Sequence, residues 1–476
     1  MVPIFLHFWT SSELAAWLAM YAAASLVLIA DGGLQLRAIN RFLAFKATAD
    51  CDGRSGRFYG AMLRFYLGLV AVLAIAMLIC MWLLPPSAVL GFGSTPDFDA
   101  AFAVITLGTL LSLPSNLSSA LYRARGCYGR AIWIQSGAMM GAQVAQLVAV
   151  VATGKLLAVA IAYALMQLLG AIYFVVVDAP RLFRFLRSDS NPPQSWRWYI
   201  GQFRLGLPFG LAGATDMVLL NAPVLLVSSF VSDRVAVAQW ALTRIIAGLV
   251  RMLCLQVTLP LAAELGHDYA VGEKERLRRL YAQGSAFVSL LASAIVAGLL
   301  AFGPDFFMLW TRGGVPYDPA LTIVLLLGAS AAAPSILALG FANFSNRGDL
   351  LVRSKPLQLA AFLLFSIGLI PWIGPLGAAI SIVASEFTVQ FGILTLTVLR
   401  DTLQRPIRHV GVLFGLSLAV LATGWGLGTI IARLVPGTGA AHFMFECALW
   451  LIIIGALASP LAFRRFRERA ISAIPC

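Results

Sequence analysis

Four ionisable side chains lie deep inside long apolar stretches of this 476-residue sequence. Asp216 and Glu386 are carboxylic acids near the middle of two such stretches. Arg244 and Arg251 share a third stretch and are seven residues apart, a spacing that puts both on one face of a helix. A charge in the interior of a bilayer is expensive, so each of the four is a candidate functional residue.

The two arginines have the chemistry of an anion site. A guanidinium group stays charged when it is desolvated and donates paired hydrogen bonds to phosphate oxygens. On a water-filled cavity between two helical lobes, Arg244 and Arg251 would therefore face the anionic headgroup of a substrate. The alternative is an internal ion pair, for example between Asp216 and Arg244 on adjacent helices, that fixes packing and binds nothing.

The two carboxyl groups have the chemistry of ion coupling. A buried carboxyl group that exchanges with water can bind and release a proton or Na⁺, and this role is open to Asp216 and Glu386. For both, a neutral carboxyl hydrogen-bonded to a neighbouring helix is the alternative. Asp31 and Glu446 lie nearer the ends of their apolar stretches, where a charged group reaches water at low cost, so no functional role is expected of them.

A proline occupies equivalent positions in two similar halves of the sequence. Leu-Pro-Ser at 113–115 returns as Ala-Pro-Ser at 333–335, an offset of about 220 residues. Proline frees a helix carbonyl group, and paired breaks in corresponding spans indicate a binding site or a hinge. We expect Pro114 and Pro334 to act as hinges.

The elements that carry these residues are predicted to be membrane-spanning helices. Hydrophobic residues make up 60% of the chain and charged residues 12%, which excludes an ordinary soluble domain. Stretches of roughly 18 to 27 mainly apolar residues are long enough to cross a bilayer as helices. The sequence therefore predicts an all-α polytopic membrane protein with thirteen transmembrane helices, at 13–36, 64–84, 100–121, 131–153, 156–177, 204–230, 236–262, 284–303, 319–343, 356–373, 375–399, 409–433 and 443–462.

The repeat predicts two pseudo-symmetric lobes of helices. At the same offset, the counterpart of span 204–230 would end near residue 8. We therefore expect either that the true start codon lies upstream or that the chain has lost its first helix, and that the complete architecture has fourteen spans. The expected parts are an N-terminal lobe at 1–178, a cytoplasmic interfacial linker at 179–203, a C-terminal lobe at 204–400, and an extra helical pair with a basic cytoplasmic tail at 401–476.

Basic residues fall on one side of the predicted topology. Most of the 34 Lys and Arg residues lie in alternate loops, which the positive-inside rule places in the cytoplasm together with the C-terminus. This topology explains the net charge of +13 and makes nucleic-acid binding the weaker interpretation, because the basic residues are scattered. The basic loops are 37–64, 122–130, 179–204, 263–283, 344–355, 400–408 and 463–476.

Cysteine and histidine give no sign of a metal centre. The six Cys share no metal or disulfide spacing, and the four His form no metal-binding motif. No nucleotide-binding loop is visible either. We therefore expect no metal and no cofactor other than a coupling H⁺ or Na⁺.

Several short segments match the pattern of a known family of membrane proteins. They are Gly-Leu-Pro at 206–208, Val-Ala-Val-Ala-Gln-Trp at 235–240, Leu-Pro-Leu-Ala-Ala-Glu at 259–264, and Leu-Ile-Ala-Asp-Gly-Gly-Leu at 28–34. Together they resemble the multidrug/oligosaccharidyl-lipid/polysaccharide (MOP) flippase superfamily, specifically its bacterial polysaccharide-biosynthesis, O-antigen-type branch. The resemblance implies a MATE-like fold, a final helical pair, and alternating access to a central cavity that is cationic when the cargo is an anionic lipid-linked glycan.

The leading functional hypothesis is a flippase and not an enzyme. It would move a polyprenyl-pyrophosphate-linked oligosaccharide across the bacterial inner membrane for lipopolysaccharide O-antigen, capsule or exopolysaccharide biosynthesis. Its partners would be that lipid-linked oligosaccharide, the bilayer and the polysaccharide polymerase machinery.

Two other functions are considered. An ion-coupled multidrug exporter of the same fold would carry hydrophobic cations, which favour carboxylates and aromatics over arginines. A membrane glycan polymerase or acyltransferase would be expected to show a large outer loop or an intramembrane His or Asp constellation, and the sequence shows neither.

Overall fold

The computed structural model of the chain describes residues 1–46, 53–187, 194–345, 347–435, 437 and 439–459. Every regular element in these ranges is a helix, which confirms the predicted all-α class. The chain divides into two compact units, Met1–Arg234 and Val235–Cys476. The predicted basic tail and residues 188–193 of the predicted linker lie outside the described residues.

The first unit contains eleven described α-helices. In chain order they are α1 Val2–Phe8, α2 Ser11–Leu26, α3 Leu34–Lys46, α4 Arg54–Leu83, α5 Pro86–Leu90, α6 Phe98–Ser112, α7 Ser115–Ala124, α8 Tyr128–Thr153, α9 Leu156–Ile172, α10 Ala179–Leu182 and α11 Trp196–Phe230. Short 3₁₀ segments cover Val27–Asp31 and Arg184–Arg187, and a π-helical segment covers Tyr173–Asp178.

The second unit contains nine described α-helices. They are α12 Arg234–Val271, α13 Lys274–Thr311, α14 Pro319–Ala331, α15 Ala333–Phe344, α16 Gly348–Ile373, α17 Pro375–Ser385, α18 Leu396–Thr402, α19 Pro406–Leu434 and α20 Ala440–Ala458. A second π-helical segment, Glu386–Thr395, joins α17 to α18. The two π-helical segments lie in the two spans that the sequence repeat makes equivalent.

The number of spans agrees with the sequence prediction. Among the described residues, twelve helices are long and apolar enough to cross a membrane, or thirteen when the bent pair of α14 and α15 counts as one span. Each of the thirteen predicted stretches overlaps one of these helices. Apolar length alone therefore located the spans correctly.

Several of the predicted basic loops are largely helical in their described residues. The helices α12, α13 and α16 continue well past the apolar stretches that predicted them, because basic residues at a span end have good helix propensity. Lys355 consequently lies in the second turn of α16 and is only 1% exposed, although the sequence analysis assigned it to the solvated loop 344–355.

The division between the two compact units falls after α11, between Arg234 and Val235. The predicted lobes, 1–178 and 204–400, stay a prediction. Helix α11 packs against α2 and α3 of the first unit. A close backbone approach makes this possible: a Cβ atom at Gly33 (φ +78°) would lie 2.3 Å from the carbonyl oxygen of Gly206 and 2.4 Å from the amide nitrogen of Gly210. These glycines let α11, which is a continuous helix, approach the turn before α3 closely.

The junctions that follow α1 and α11 have the same local form. Helix α1 ends at Phe8 and Trp9 is extended (φ −119°, ψ 150°), while α11 ends at Phe230 and Val231 is extended (φ −107°, ψ 119°). This likeness agrees with the alignment of the two segments in the sequence repeat. The expectation that a first helix is absent stays a prediction.

Candidate functional site

A small polar cavity inside the second unit brings together three of the predicted site residues. Arg244 and Arg251 of α12 line it together with Glu386, the first residue of the second π-helical segment. Ser335 of α15 and Gln390 add two more polar side chains. The cavity has a volume of about 30 Å³, which is the room of roughly one water molecule.

Arg251 and Glu386 form an ion pair across this cavity. Arg251 Nη1 lies 3.5 Å from Glu386 Oε1, which is longer than a charge-assisted hydrogen bond of about 2.8 Å. The arginine side chain is 34% exposed and the glutamate side chain 15%, so the pair is open to water on one side. The sequence predicted separate roles for these two residues, and the internal ion pair given as an example was that of Asp216 with Arg244.

Arg244 is held more deeply than Arg251. Its Nε atom is buried and has no hydrogen-bond partner among the described residues. Glu386 and Arg251 are both close enough to act on it electrostatically. A buried donor without a partner is destabilising by about 1–3 kcal/mol, so the site favours a ligand that brings an acceptor oxygen.

Lys355, Gln390 and Ser335 form a buried polar chain behind the cavity. Lys355 Nζ donates to Gln390 Oε1 at 3.5 Å, and Gln390 Nε2 donates to Ser335 Oγ at 2.8 Å. None of the three side chains is more than 2% exposed. Sequence reasoning missed Lys355 because it directly precedes an apolar stretch, where a lysine is usually a solvated flanking charge.

Both predicted proline positions are real breaks in a span. Helices α14 and α15 meet at 47°, with Ala332 at the corner and Pro334 in the first turn of α15. Ser335 Oγ donates to the Ala332 carbonyl oxygen at 2.6 Å, which satisfies a group that the break frees. In the first unit, Pro114 precedes the first residue of α7. Motion at these positions stays a prediction.

The break at Pro114 places Asn116 beside Asp31. Asn116 Nδ2 lies 3.4 Å from Asp31 Oδ1, and the Tyr66 hydroxyl donates to the same oxygen at 2.5 Å. Asp31 lies near a span end, where the sequence predicts no functional role, but the structure gives it two side-chain donors from other helices.

Asp216 is half-buried in α11 of the first unit, and its ion-coupling role stays a prediction.

The first unit contains an ion pair that the sequence did not predict either. Asp178, at the end of the first π-helical segment and 1% exposed, accepts a hydrogen bond of 2.6 Å from Arg130 of α8. The Tyr122 hydroxyl of α7 donates to the same carboxylate. Both charges lie at predicted span ends, so the single sequence gave no reason to pair them.

Comparison with solved structures places the fold among membrane transporters. The lipid II flippase MurJ in an inward closed conformation has a TM-score of 0.71 and 11% identity, covering 97% of this chain and 96% of that chain. An inward-facing multidrug resistance MATE family transporter of the MOP superfamily has a TM-score of 0.64 and 15% identity, covering 87% of this chain and 94% of that chain.

A third solved structure concerns pocket charge. A MOP superfamily transporter from Pyrococcus furiosus, for which reverse polarity of the binding pocket suggests a different function, has a TM-score of 0.53 and 15% identity, covering 87% of this chain and 91% of that chain. No protein-family model and no curated protein sequence matches this chain. At these identities the comparisons show a shared fold.

Proposed function

We propose that this chain, which has the fold of the MOP transporter superfamily, is a flippase for a lipid-linked oligosaccharide that carries a pyrophosphate. The observation that carries the proposal is the pairing of Arg244 and Arg251 on one cavity in the interior of the second unit. Two guanidinium groups on one wall suit a ligand with two phosphate groups, because each can donate a pair of hydrogen bonds.

The proposed mechanism is transport without covalent chemistry. The anionic headgroup binds the arginines while the polyprenyl tail stays in the lipid, and alternating access moves the headgroup to the other leaflet. Pro114 and Pro334 are the proposed hinges. Asp216 and Glu386 are the proposed sites at which H⁺ or Na⁺ could couple to the cycle. The proposed location is the bacterial inner membrane, with the C-terminus cytoplasmic and the polysaccharide polymerase machinery as a partner.

A second candidate is an ion-coupled exporter of cationic drugs. It is favoured by one observation, which is that the same cavity holds a carboxylate, Glu386. With two arginines against one glutamate, however, the lining side chains carry a net positive charge, which repels a cation. The reverse pocket polarity of the Pyrococcus furiosus transporter suggests a different function for that protein, so pocket charge is a sensible feature on which to separate the two candidates.

Lipid analysis of a deletion strain tests the proposal. Mass spectrometry should find a polyprenyl-pyrophosphate oligosaccharide that accumulates in the deletion strain and disappears when this chain is restored. Arg251→Ala should lower the rescue about thirtyfold, because losing a charge-assisted hydrogen bond to the headgroup costs about 2 kcal/mol. Arg276→Ala is the matched control, because Arg276 is 60% exposed and lies outside the cavity.

Two outcomes would reject parts of this proposal. Normal lipids in the deletion strain, together with altered sensitivity to cationic drugs, would favour the exporter. Loss of the Arg251→Ala protein from the membrane, with rescue of both abundance and transport in the neutral pair Arg251→Ala and Glu386→Gln, would assign the ion pair to packing alone.

A further inference from the structure

The charges that line the cavity of the second unit are unequal. Arg244 and Arg251 contribute two positive charges and Glu386 contributes one negative charge. The carboxylate faces Arg251 at 3.5 Å, while the Nε atom of Arg244 has no partner among the described residues. Glu386 therefore engages Arg251 directly, while the Nε atom of Arg244 is left without a hydrogen-bond acceptor among the described residues.

Glu386 already occupies an acceptor position on Arg251, because its Oε1 atom lies 3.5 Å from Arg251 Nη1. A ligand phosphate that binds this guanidinium group therefore competes with the carboxylate. Glu386 is suited to such a displacement, since it begins a π-helical segment, a form of helix that occurs frequently at functional sites, and its contact with Arg251 is long.

The charge of the ligand decides whether this exchange is favourable. A lipid with one phosphodiester charge would replace one anion on Arg251 by another and leave Glu386 without its cation. A pyrophosphate ester carries at least two negative charges, so it can engage Arg244 and Arg251 together while the carboxylate withdraws. Bulk monoanionic phospholipids greatly outnumber any specialised lipid, so a site made only of arginines would be occupied by them.

We propose that Glu386 is a specificity-determining residue: it acts as an internal anion on Arg251 that a pyrophosphate-linked lipid displaces and a monoanionic phospholipid does not. This inference rests on the proposed function, because it assumes that the cavity is the cargo site. It assigns to Glu386 the rejection of ordinary phospholipids, a role distinct from ion coupling.

Binding to the purified full-length protein in detergent tests the inference. The probes are farnesyl pyrophosphate and a short-chain phosphatidylglycerol, and the measured quantity is the ratio of their dissociation constants. The wild-type protein should prefer farnesyl pyrophosphate at least about tenfold. Glu386→Gln should bind phosphatidylglycerol about tenfold more tightly and so remove most of the preference.

Two further variants keep the test decisive. Glu386→Asp keeps the charge but shortens the side chain, so its ratio should lie between those of the wild type and Glu386→Gln even if the glutamine variant is unstable. Glu446→Gln is the matched control: Glu446 is a buried carboxylate of the same unit, paired with His442 at 3.3 Å and outside the cavity. Its ratio should equal that of the wild type.

The inference is overturned if the wild-type and Glu386→Gln ratios agree within a factor of about two, or if neither protein binds farnesyl pyrophosphate. Both results are independent of lipid accumulation in the deletion strain, which tests the proposed function. A selective site in a protein whose deletion leaves lipids unchanged would uphold the role of Glu386 and reject the proposed cargo.

Discussion

Replacing Gln390 by leucine should remove two buried hydrogen bonds, one from Lys355 to Gln390 and one from Gln390 to Ser335. Leucine keeps most of the side-chain volume, so the effect comes from hydrogen bonds and not from a cavity. The bond from Gln390 Nε2 to Ser335 Oγ is 2.8 Å long and neutral, which makes it worth about 1 kcal/mol. The contact from Lys355 Nζ is 3.5 Å long and charged, and we assign it about 1.5 kcal/mol.

Gln390→Leu should therefore lower the free energy of unfolding by about 2.5 kcal/mol. A double-mutant cycle locates this loss. The coupling between Gln390→Leu and Lys355→Met should be about 1.5 kcal/mol, and that between Gln390→Leu and Ser335→Ala about 1 kcal/mol. The assay is a denaturant titration of the purified protein in mixed micelles, followed by tryptophan fluorescence.

Ser366→Ala is the matched control for the serine change. Ser366 lies in α16 like Lys355 and is fully buried, but its hydroxyl has no partner among the described residues. Its replacement should leave the free energy of unfolding unchanged or slightly higher. Additivity of Gln390→Leu and Lys355→Met within about 0.5 kcal/mol would refute the reasoning, because it would mean that Gln390 does not solvate the lysine.

Two further predictions concern the backbone. Gly33→Ala should lower the free energy of unfolding by about 2–4 kcal/mol, because φ is +78° and the new methyl group would meet α11 at 2.3 Å. Gly213→Ala, where a methyl group meets nothing within 4 Å, is its control in the same titration, and equal losses would contradict the close approach. Pro114→Ala combined with Pro334→Ala should slow lipid transport more than the sum of the single changes, and additive, small effects in the rescue assay would count against paired hinges.

The sequence predicted the features that depend on one stretch of chain. Apolar length located the thirteen spans, and the paired prolines located two breaks, because both follow from local chemistry. The spacing of Arg244 and Arg251 correctly predicted that the two side chains share one face of a helix. These are the parts of the fold and of the site that a single sequence can reveal.

The features that the sequence did not predict depend on distant pairings. Arg251 and Glu386 are 135 residues apart, and no periodic pattern connects them. Lys355 had the neighbours of a solvated flanking residue, and only the length of α16 shows that it is buried. Gly206 and Gly210 are a third case: glycine lowers helix propensity, but tertiary contact with the turn before α3 determines their role in α11.

The distance along the chain between Arg251 and Glu386 has a consequence for the order of membrane insertion. Helix α12 leaves the ribosome with Arg244 and Arg251 inside its apolar stretch, and an arginine costs about 2.5–3.5 kcal/mol at the centre of an inserted helix. Glu386 is synthesised 135 residues after Arg251. With 38 residues, α12 is about 57 Å long, while the hydrocarbon core is about 30 Å thick. The helix can therefore first insert with its arginines near an interface and move to its final depth once Glu386, which lies past the middle of the second unit, has been made. Insertion of α12 in its final position thus depends on Glu386, which is synthesised after it.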